Sequence, residues 1–171
     1  KLLLAANAYL DAQPYFENAR NLAPADARWT YYLAHTHRLQ GQSTAAAALF
    51  AETVRARPDD VAALVWLGSA YLDQGNPAAA EPPFEEAVAI APGVAAGHLG
   101  LGRVALERRQ FAAAVTHLER VLTLEPNASA VHYPLALAQR ALGNTAQAEA
   151  HLRQRGGNDL GPPDPLMQEV V

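Results

Sequence analysis

Cysteine is absent from this chain of 171 residues. Its absence excludes disulfide bonds, thiol catalysis and zinc–thiolate sites, and it leaves cytoplasm and periplasm equally open as compartments. Long apolar runs are missing too, because none approaches the roughly 20 residues that a membrane-spanning helix needs. The opening KLLLAANAYL is too short and too lightly charged to resemble a signal peptide. We therefore predict no membrane span.

Charged residues are scarce, at 18% of the chain against roughly 25% in typical soluble domains. The net charge of −4 gives little electrostatic support to nucleic-acid binding, and no nucleic-acid partner is predicted. Lys1 is the only lysine, so arginine supplies nearly all of the positive charge. This usage, with much alanine and proline, is typical of GC-rich bacterial coding, and we expect a bacterial origin.

What the sequence does contain is a period of 34 residues. Proline recurs at Pro24, Pro58, Pro92 and Pro126. Alanine stands twelve residues before each proline, a bulky apolar residue stands eight before it, and glycine usually stands seventeen before it, with Arg109 as the exception. The members of these three series are Ala12, Ala46, Ala80 and Ala114; Phe16, Phe50, Phe84 and Leu118; and Gly41 and Gly75, continued by Gly143. Such a period is typical of a helix–turn–helix solenoid.

The helices follow from apolar residues that recur at steps of three and four, since no segment alternates with period two. Glycine permits the φ > 0 turn after the first helix of each pair, and proline ends the second. The predicted N-caps are Asp26, Asp60 and Ser129 for first helices, and Ser43, Asn76 and Asn144 for second helices. We predict helices over 1–8, 11–22, 27–40, 44–56, 61–74, 77–90, 95–108, 111–124, 129–142 and 145–154, and no strands.

The pattern resembles the tetratricopeptide repeat, best seen from Val61 to Val94, which contains LGSAYLDQGNPAAAEPPFEEAVAIAP. The resemblance implies an all-α, right-handed superhelical solenoid of antiparallel helix pairs, with four full repeats and a partial N-terminal one. The array is predicted over 1–156, divided at 1–26, 27–60, 61–94, 95–128 and 129–156, and a proline-rich tail over 157–171. Because the leading repeat is cut short, we expect a fragment of a longer protein, or a processed one.

The resemblance further implies that first helices line a concave groove that binds a protein or peptide partner. Its phase selects a partner-binding groove of Arg28, Tyr31, His35, Arg38, Val65, Ser69, Leu99, Arg103, Tyr133, Leu137 and Arg140. The apolar members are equally consistent with packing between helices. The arginines suit acidic side chains on an extended or helical peptide. The expected function is therefore a non-catalytic interaction scaffold.

Two other functions stay open at this stage. The chain is also consistent with an accessory or regulatory segment of a larger enzyme or envelope-assembly complex, and less so with an enzyme in its own right. A known subgroup of the family grips chaperone C-termini with lysine, asparagine and arginine. The matching positions here hold Tyr31 and His35, then Trp66, then Ala96 and Gly100, so that activity is not expected.

Histidines are the remaining candidates for site chemistry. His98 and His132, like His117 and His151, stand one repeat apart. Equivalent positions on stacked helices are roughly 10 Å apart, too far to share one metal ion. We therefore predict repeat duplication, no metal site and no cofactor.

Prolines outside the period raise two further expectations. Pro82 and Pro83 fall inside a predicted second helix, where a kink or a frayed first turn is expected. In the tail, Leu160, Pro162, Leu166 and Met167 are predicted either to fold back over helix 145–154 or to dock on another copy, which would cause self-association.

Overall fold

The computed structural model describes residues 9–156 and 160–168, in which the chain forms helices and no strand. The elements are α1 (Tyr9–Leu22), α2 (Ala27–Leu39), α3 (Ser43–Ala56), α4 (Val61–Asp73), α5 (Pro77–Ile90), α6 (Ala95–Glu107), α7 (Phe111–Leu124), a 3-10 turn (Ser129–Val131), α8 (His132–Ala141), α9 (Thr145–Gln154) and α10 (Pro165–Gln168). Each of α1 to α9 packs against its neighbours along the chain, and the pairs stack into the predicted right-handed solenoid. The helix predicted over 1–8 lies outside the described residues. Nowhere in the described ranges does a helix have both the length and the apolarity to cross a bilayer.

Side-chain capping starts three of the helices as predicted. Asp26, Asp60 and Asn76 each accept a hydrogen bond of 3.1 Å from a backbone N–H in the first turn of the helix that follows. Asn144 holds the N-cap position of α9, but its side chain donates to Gln139 Oε1 at 2.8 Å instead of capping. The caps predicted at Ser43 and Ser129 are wrong, because each residue lies inside its element and not before it.

Prolines inside the predicted helices affect α5 and α8 differently. Helix α5 is continuous through Pro82 and Pro83, and its first turn is closed by the Asn76 cap. The single helix predicted over 129–142 is wrong in its first turn. Pro134 has no N–H to donate to the carbonyl of Ala130. The segment therefore begins as a 3-10 turn and becomes α-helical only at His132.

The core runs from repeat to repeat as three clusters, in which three of the four bulky residues of the period are fully buried: Phe50, Phe84 and Leu118. Gly68 and Gly100, from two successive first helices, both face the ring of Phe84, and a Cβ on Gly68 would lie 2.7 Å from that ring. A Cβ on Gly102 would lie 2.6 Å from Leu118. The small residues of the repeat are thus required because a large side chain fills the space that their Cβ would need.

Candidate functional site

The residues predicted for the groove lie on the first helices of the repeats, which contact each other directly from α4 to α6 and from α6 to α8. The face that these first helices share is called the concave face below. Tyr31, His35 and Arg38 share one face of α2 because they stand four and three residues apart. The same face of the array continues through α4, α6 and α8. Val65 and Ser69 come from α4, Leu99 and Arg103 from α6, and Tyr133 and Leu137 from α8.

The tail returns to this concave face. Leu160 and Pro162 help to line a cavity of about 170 Å³ together with Arg38, Trp66 and Arg103. Leu166 and Met167 pack on the core cluster that contains Tyr31 and Phe50. The tail thus covers α2 and α4. The prediction that the tail folds over α9 is wrong, because Leu166 and Met167 pack on the core cluster of α2 and the side-chain donors to the buried carboxylate of Asp164 lie on α2 and α4.

That carboxylate belongs to Asp164, which is 7% exposed. Its Oδ2 accepts a hydrogen bond of 3.0 Å from Trp66 Nε1 and another from the Tyr31 hydroxyl. Its Oδ1 accepts a 3.0 Å bond from the backbone N–H of Met167 in α10. His35 Nε2 lies 3.6 Å from Oδ2. Residues from α2, α4 and the tail therefore meet at a single acidic group.

The titration states of α2 favour a neutral donor set around Asp164. Burial, and next the negative charge of Asp164, raises the pKa of Tyr31 far above its ordinary value, so its hydroxyl keeps the proton that it donates. Burial, and next the positive charge of Arg38, holds the pKa of His35 well below its usual range. A neutral His35 makes the 3.6 Å approach a polar contact and not an ion pair. Neither ring nitrogen of His35 has a hydrogen-bond partner.

Arg38 adds positive charge beside Trp66, one of the donors to this carboxylate. Its guanidinium lies 4.3 Å from the centroid of the Trp66 ring, a cation–π arrangement that joins α2 to α4. The indole is thus held between Arg38 on its face and Asp164 at its N–H.

The C-terminal half of the concave face is open. A groove of about 860 Å³ is lined by α6 and α8, with apolar side chains from both and the basic groups of Arg103 and Arg109 against Glu107. Tyr133 is 53% exposed and Leu137 is 44% exposed, and both line this groove together with Leu99 and Leu106. Leu160 of the tail lines both this groove and the smaller cavity.

Tyr31 and His35 line neither cavity but contact Asp164, whereas two other predicted groove residues lie apart from the cavities and from Asp164. Arg28 is exposed at the start of α2 and pairs with Asp26 at 2.7 Å, near Leu166. Arg140 is exposed in the last turn of α8 and lines neither the cavity nor the open groove. Val65, by contrast, is 2% exposed and belongs to a core cluster, so it packs between helices as the alternative interpretation has it.

Sequence reasoning missed two residues of the site. Trp66 directly follows the predicted groove residue Val65. The equivalent position of the next repeat holds Gly100, and a tryptophan where the next repeat has glycine is the signal that could have identified Trp66 as a site residue. Asp164 lies outside the period, so no repeat signal marks it.

Histidines contact each other within repeats and not between them. The His98 and His117 rings are 6.0 Å apart, and the His132 and His151 rings are 5.3 Å apart with their Nδ1 atoms at 3.0 Å. Burial, and then the neighbouring histidine, lowers the pKa of His117 and of His151. No group of three metal-ligating side chains occurs within the described ranges.

Helix pairs repeated at this interval, with a concave face of first helices, define a helical repeat protein. A tetratricopeptide-repeat family model matches residues 1–60 and 33–95, and a second such model matches residues 105–165. The chain therefore belongs to the tetratricopeptide-repeat family, a family of protein–protein interaction scaffolds.

Solved structures of similar fold include MamA from Desulfovibrio magneticus RS-1, from position 41 to its end, with 20% identity, a TM-score of 0.82, and coverage of 89% of this chain and 86% of that one. YrrB, described as a TPR protein with an unusual peptide-binding site, has 18% identity and a TM-score of 0.75, and the match covers 90% of this chain and 79% of that one. Cut9, from the APC/C hetero-tetramer Cut9–Hcn1, has 21% identity and a TM-score of 0.78, and the match covers 89% of this chain and 30% of that one. At these identities the likeness establishes the fold alone. No curated protein matches the chain.

Proposed function

We propose that this chain is a non-catalytic scaffold that binds an extended segment of a partner protein in the open groove between α6 and α8. The exposure of Tyr133 and Leu137 inside that groove carries the proposal. A repeat array normally buries such side chains or offers them to a partner, because a contiguous apolar surface left in water is unfavourable. An aromatic ring with a polar tip is also a frequent energetic anchor of protein interfaces.

The charge of the groove specifies the partner further. Arg103 and Arg109 outnumber Glu107 along its wall, so the groove favours an acidic side chain beside apolar anchors. Arginine pairs with a carboxylate through two parallel hydrogen bonds, which also fixes the orientation of the ligand. The net charge of −4 disfavours nucleic acid as the ligand. YrrB, a protein of the same fold, is described as having a peptide-binding site, which supports a peptide as the class of ligand.

The test is selection of peptides from a random displayed library on the full chain, followed by fluorescence-anisotropy titration of the selected peptides. Arg103→Ala and Tyr133→Ala are each expected to weaken binding about tenfold, the effect of losing an interface anchor. Arg120→Ala and Tyr15→Ala remove the same side-chain types from exposed positions on α7 and α1 and serve as matched controls. Peptides that bind all four variants equally would overturn the groove assignment.

A further inference from the structure

The contacts of Asp164 divide between the tail and the array. Oδ1 makes a contact within the tail, since it accepts a hydrogen bond from the N–H of Met167 at the start of α10. Oδ2 contacts the array, since it faces Tyr31, Trp66 and His35, which come from two repeats. Of these contacts of Asp164, only the second set joins the tail to the array, and it consists of side chains on packed helices.

His35 is a further side chain of the array that faces this carboxylate. The side chain is fully buried, it has no hydrogen-bond partner at either ring nitrogen, and Nε2 points at Oδ2 from 3.6 Å. A buried polar group without a partner is unfavourable and rare in proteins. Phe50 and Trp66 hold the ring in place, with ring centroids at 5.1 and 5.2 Å. A small shift of an acidic ligand would bring Nε2 within hydrogen-bonding distance.

We infer that Tyr31, His35 and Trp66 form a recognition subsite for an aspartate side chain in a partner peptide, and that tail residues 160–168 are an internal copy of that ligand. The inference rests on the proposed function, since it assigns a second ligand-binding region to the same concave face. The partner is an extended peptide with aspartate followed by proline and two apolar residues, as in the sequence Asp164 to Met167.

The residues around Asp164 explain why a peptide, and not a free anion, is the ligand. Pro162 is buried ahead of it, and Leu166 and Met167 pack on the core cluster behind it. The Tyr32 hydroxyl donates to the backbone carbonyl of Leu166 at 3.3 Å, so the array also binds the peptide backbone. Aspartate fits better than glutamate because its short side chain both caps the following turn and reaches the donors.

The internal copy competes with any external ligand. The tail is joined to the array by a few residues after α9, and a ligand tethered by a short linker has an effective concentration in the roughly millimolar range. An external peptide at micromolar concentration therefore binds the intact protein poorly unless the hold on Asp164 is weakened.

The experiment uses the full chain with Asp164→Asn, and a labelled peptide of residues 160–168 as the probe in anisotropy titrations. Asparagine keeps the size of the side chain and removes its charge. The peptide is expected to bind this variant about tenfold or more tightly than it binds the wild type, because the internal competitor is weakened. The same peptide with asparagine in place of aspartate is expected to bind about tenfold more weakly, because both donors then face a neutral acceptor. This comparison changes only the probe, so it does not depend on how a variant folds.

A second pair of variants places the binding at the subsite. In the Asp164→Asn background, Tyr31→Phe is expected to reduce affinity for the aspartate peptide about tenfold. Tyr15→Phe removes a hydroxyl from the exposed face of α1 and is expected to leave affinity unchanged.

Three results would overturn the inference: no binding to the Asp164→Asn chain at millimolar peptide, equal binding of the aspartate and asparagine peptides, or a wild-type dimer that Asp164→Asn dissociates. The last result would assign the subsite to the tail of a second copy. None of them affects the open groove, whose own test uses library peptides with Arg103→Ala and Tyr133→Ala. Failure of this inference is therefore distinguishable from failure of the proposed function.

Discussion

Arg109 provides a test of how the repeat turn is built. The turn between the two helices of a repeat has a left-handed backbone, with φ of 73° at Gly41, 68° at Gly75 and 86° at Gly143. Arg109 stands at the same position of the third repeat and adopts φ of 60°. Its N–H donates to the carbonyl three residues earlier at 2.9 Å, as that of Gly75 does. The third repeat thus makes the glycine turn without glycine, and Arg109→Gly should stabilise the protein.

The magnitude follows from two opposing backbone terms. A left-handed conformation costs a non-glycine residue roughly 1–2 kcal/mol. Glycine loses more conformational freedom on folding, a penalty of roughly 0.5–1 kcal/mol. The first term is larger, so Arg109→Gly should raise the free energy of unfolding by about 0.5–1 kcal/mol. For a chain of this size that corresponds to a Tm increase of about 1–4 °C.

Thermal unfolding followed by circular dichroism measures the change, and two variants isolate its cause. Arg109→Ala removes the side chain but keeps the backbone cost, so it should not stabilise. Gly75→Ala should destabilise by a similar 0.5–1 kcal/mol, because its Cβ would meet no atom within 4 Å and only the backbone term remains. Equal stabilisation by Arg109→Gly and Arg109→Ala would refute the reasoning, since the arginine side chain and not φ would then be responsible.

Three further changes test the packing, the buried histidine and a helix cap. Gly100→Ala should lower the free energy of unfolding measured in urea. Overlap of the new Cβ with the Phe84 ring costs roughly 1–3 kcal/mol, which exceeds the roughly 1 kcal/mol that alanine gains over glycine in a helix. A Cβ at Gly93 would meet nothing within 4 Å, so equal effects of Gly100→Ala and Gly93→Ala would contradict this. His35→Leu should flatten the pH dependence of stability: the folded-state pKa of His35 is lowered, so the stability it supports is present above about pH 6.5 and is lost as the pH falls below that value. Parallel stability curves for wild type and variant between pH 7 and 5 would exclude this role. Asp60→Ala should lower the free energy of unfolding by about 1 kcal/mol, because the hydrogen bond from the Ala63 N–H is lost. Asp59→Ala, at the exposed neighbouring residue, is the control.

The fold was predictable because every repeat poses the same physical problem. A second helix must bury one large side chain, and the first helix beside it must leave room for that side chain. Phe84 and Leu118 therefore recur in phase, and so do Gly68 and Gly102, which face them. Where a local residue overrides the repeat, prediction from the period fails. Pro134 shows this, since its missing N–H converts the first turn of a predicted helix into a 3-10 turn.

The candidate site was predictable only where the repeat phase determines it. The repeat phase puts Tyr31 and His35 on the face of the first helices, but it does not indicate their contacts with Asp164, which is 133 residues away from Tyr31 and outside the period. Helical periodicity says which face a residue occupies and nothing about which distant segment covers that face. The positions of Tyr133 and Leu137 in the open groove follow from the repeat phase alone, because no distant segment has to cover them.

Leu160 connects the two halves of the concave face. It lines the cavity beside Trp66 and Arg103 and also the open groove beside Tyr133. A ligand that fills the open groove up to Arg103 must therefore pack against Leu160 or displace it. If the ligand packs against Leu160, the tail is part of the binding surface, and weaker docking of the tail would lower the affinity for the ligand. If the ligand displaces Leu160, it works against the contacts of Asp164, and weaker docking of the tail would raise that affinity. The sign of the effect of Asp164→Asn on affinity for a groove ligand thus distinguishes a tail that completes the groove from a tail that competes for it.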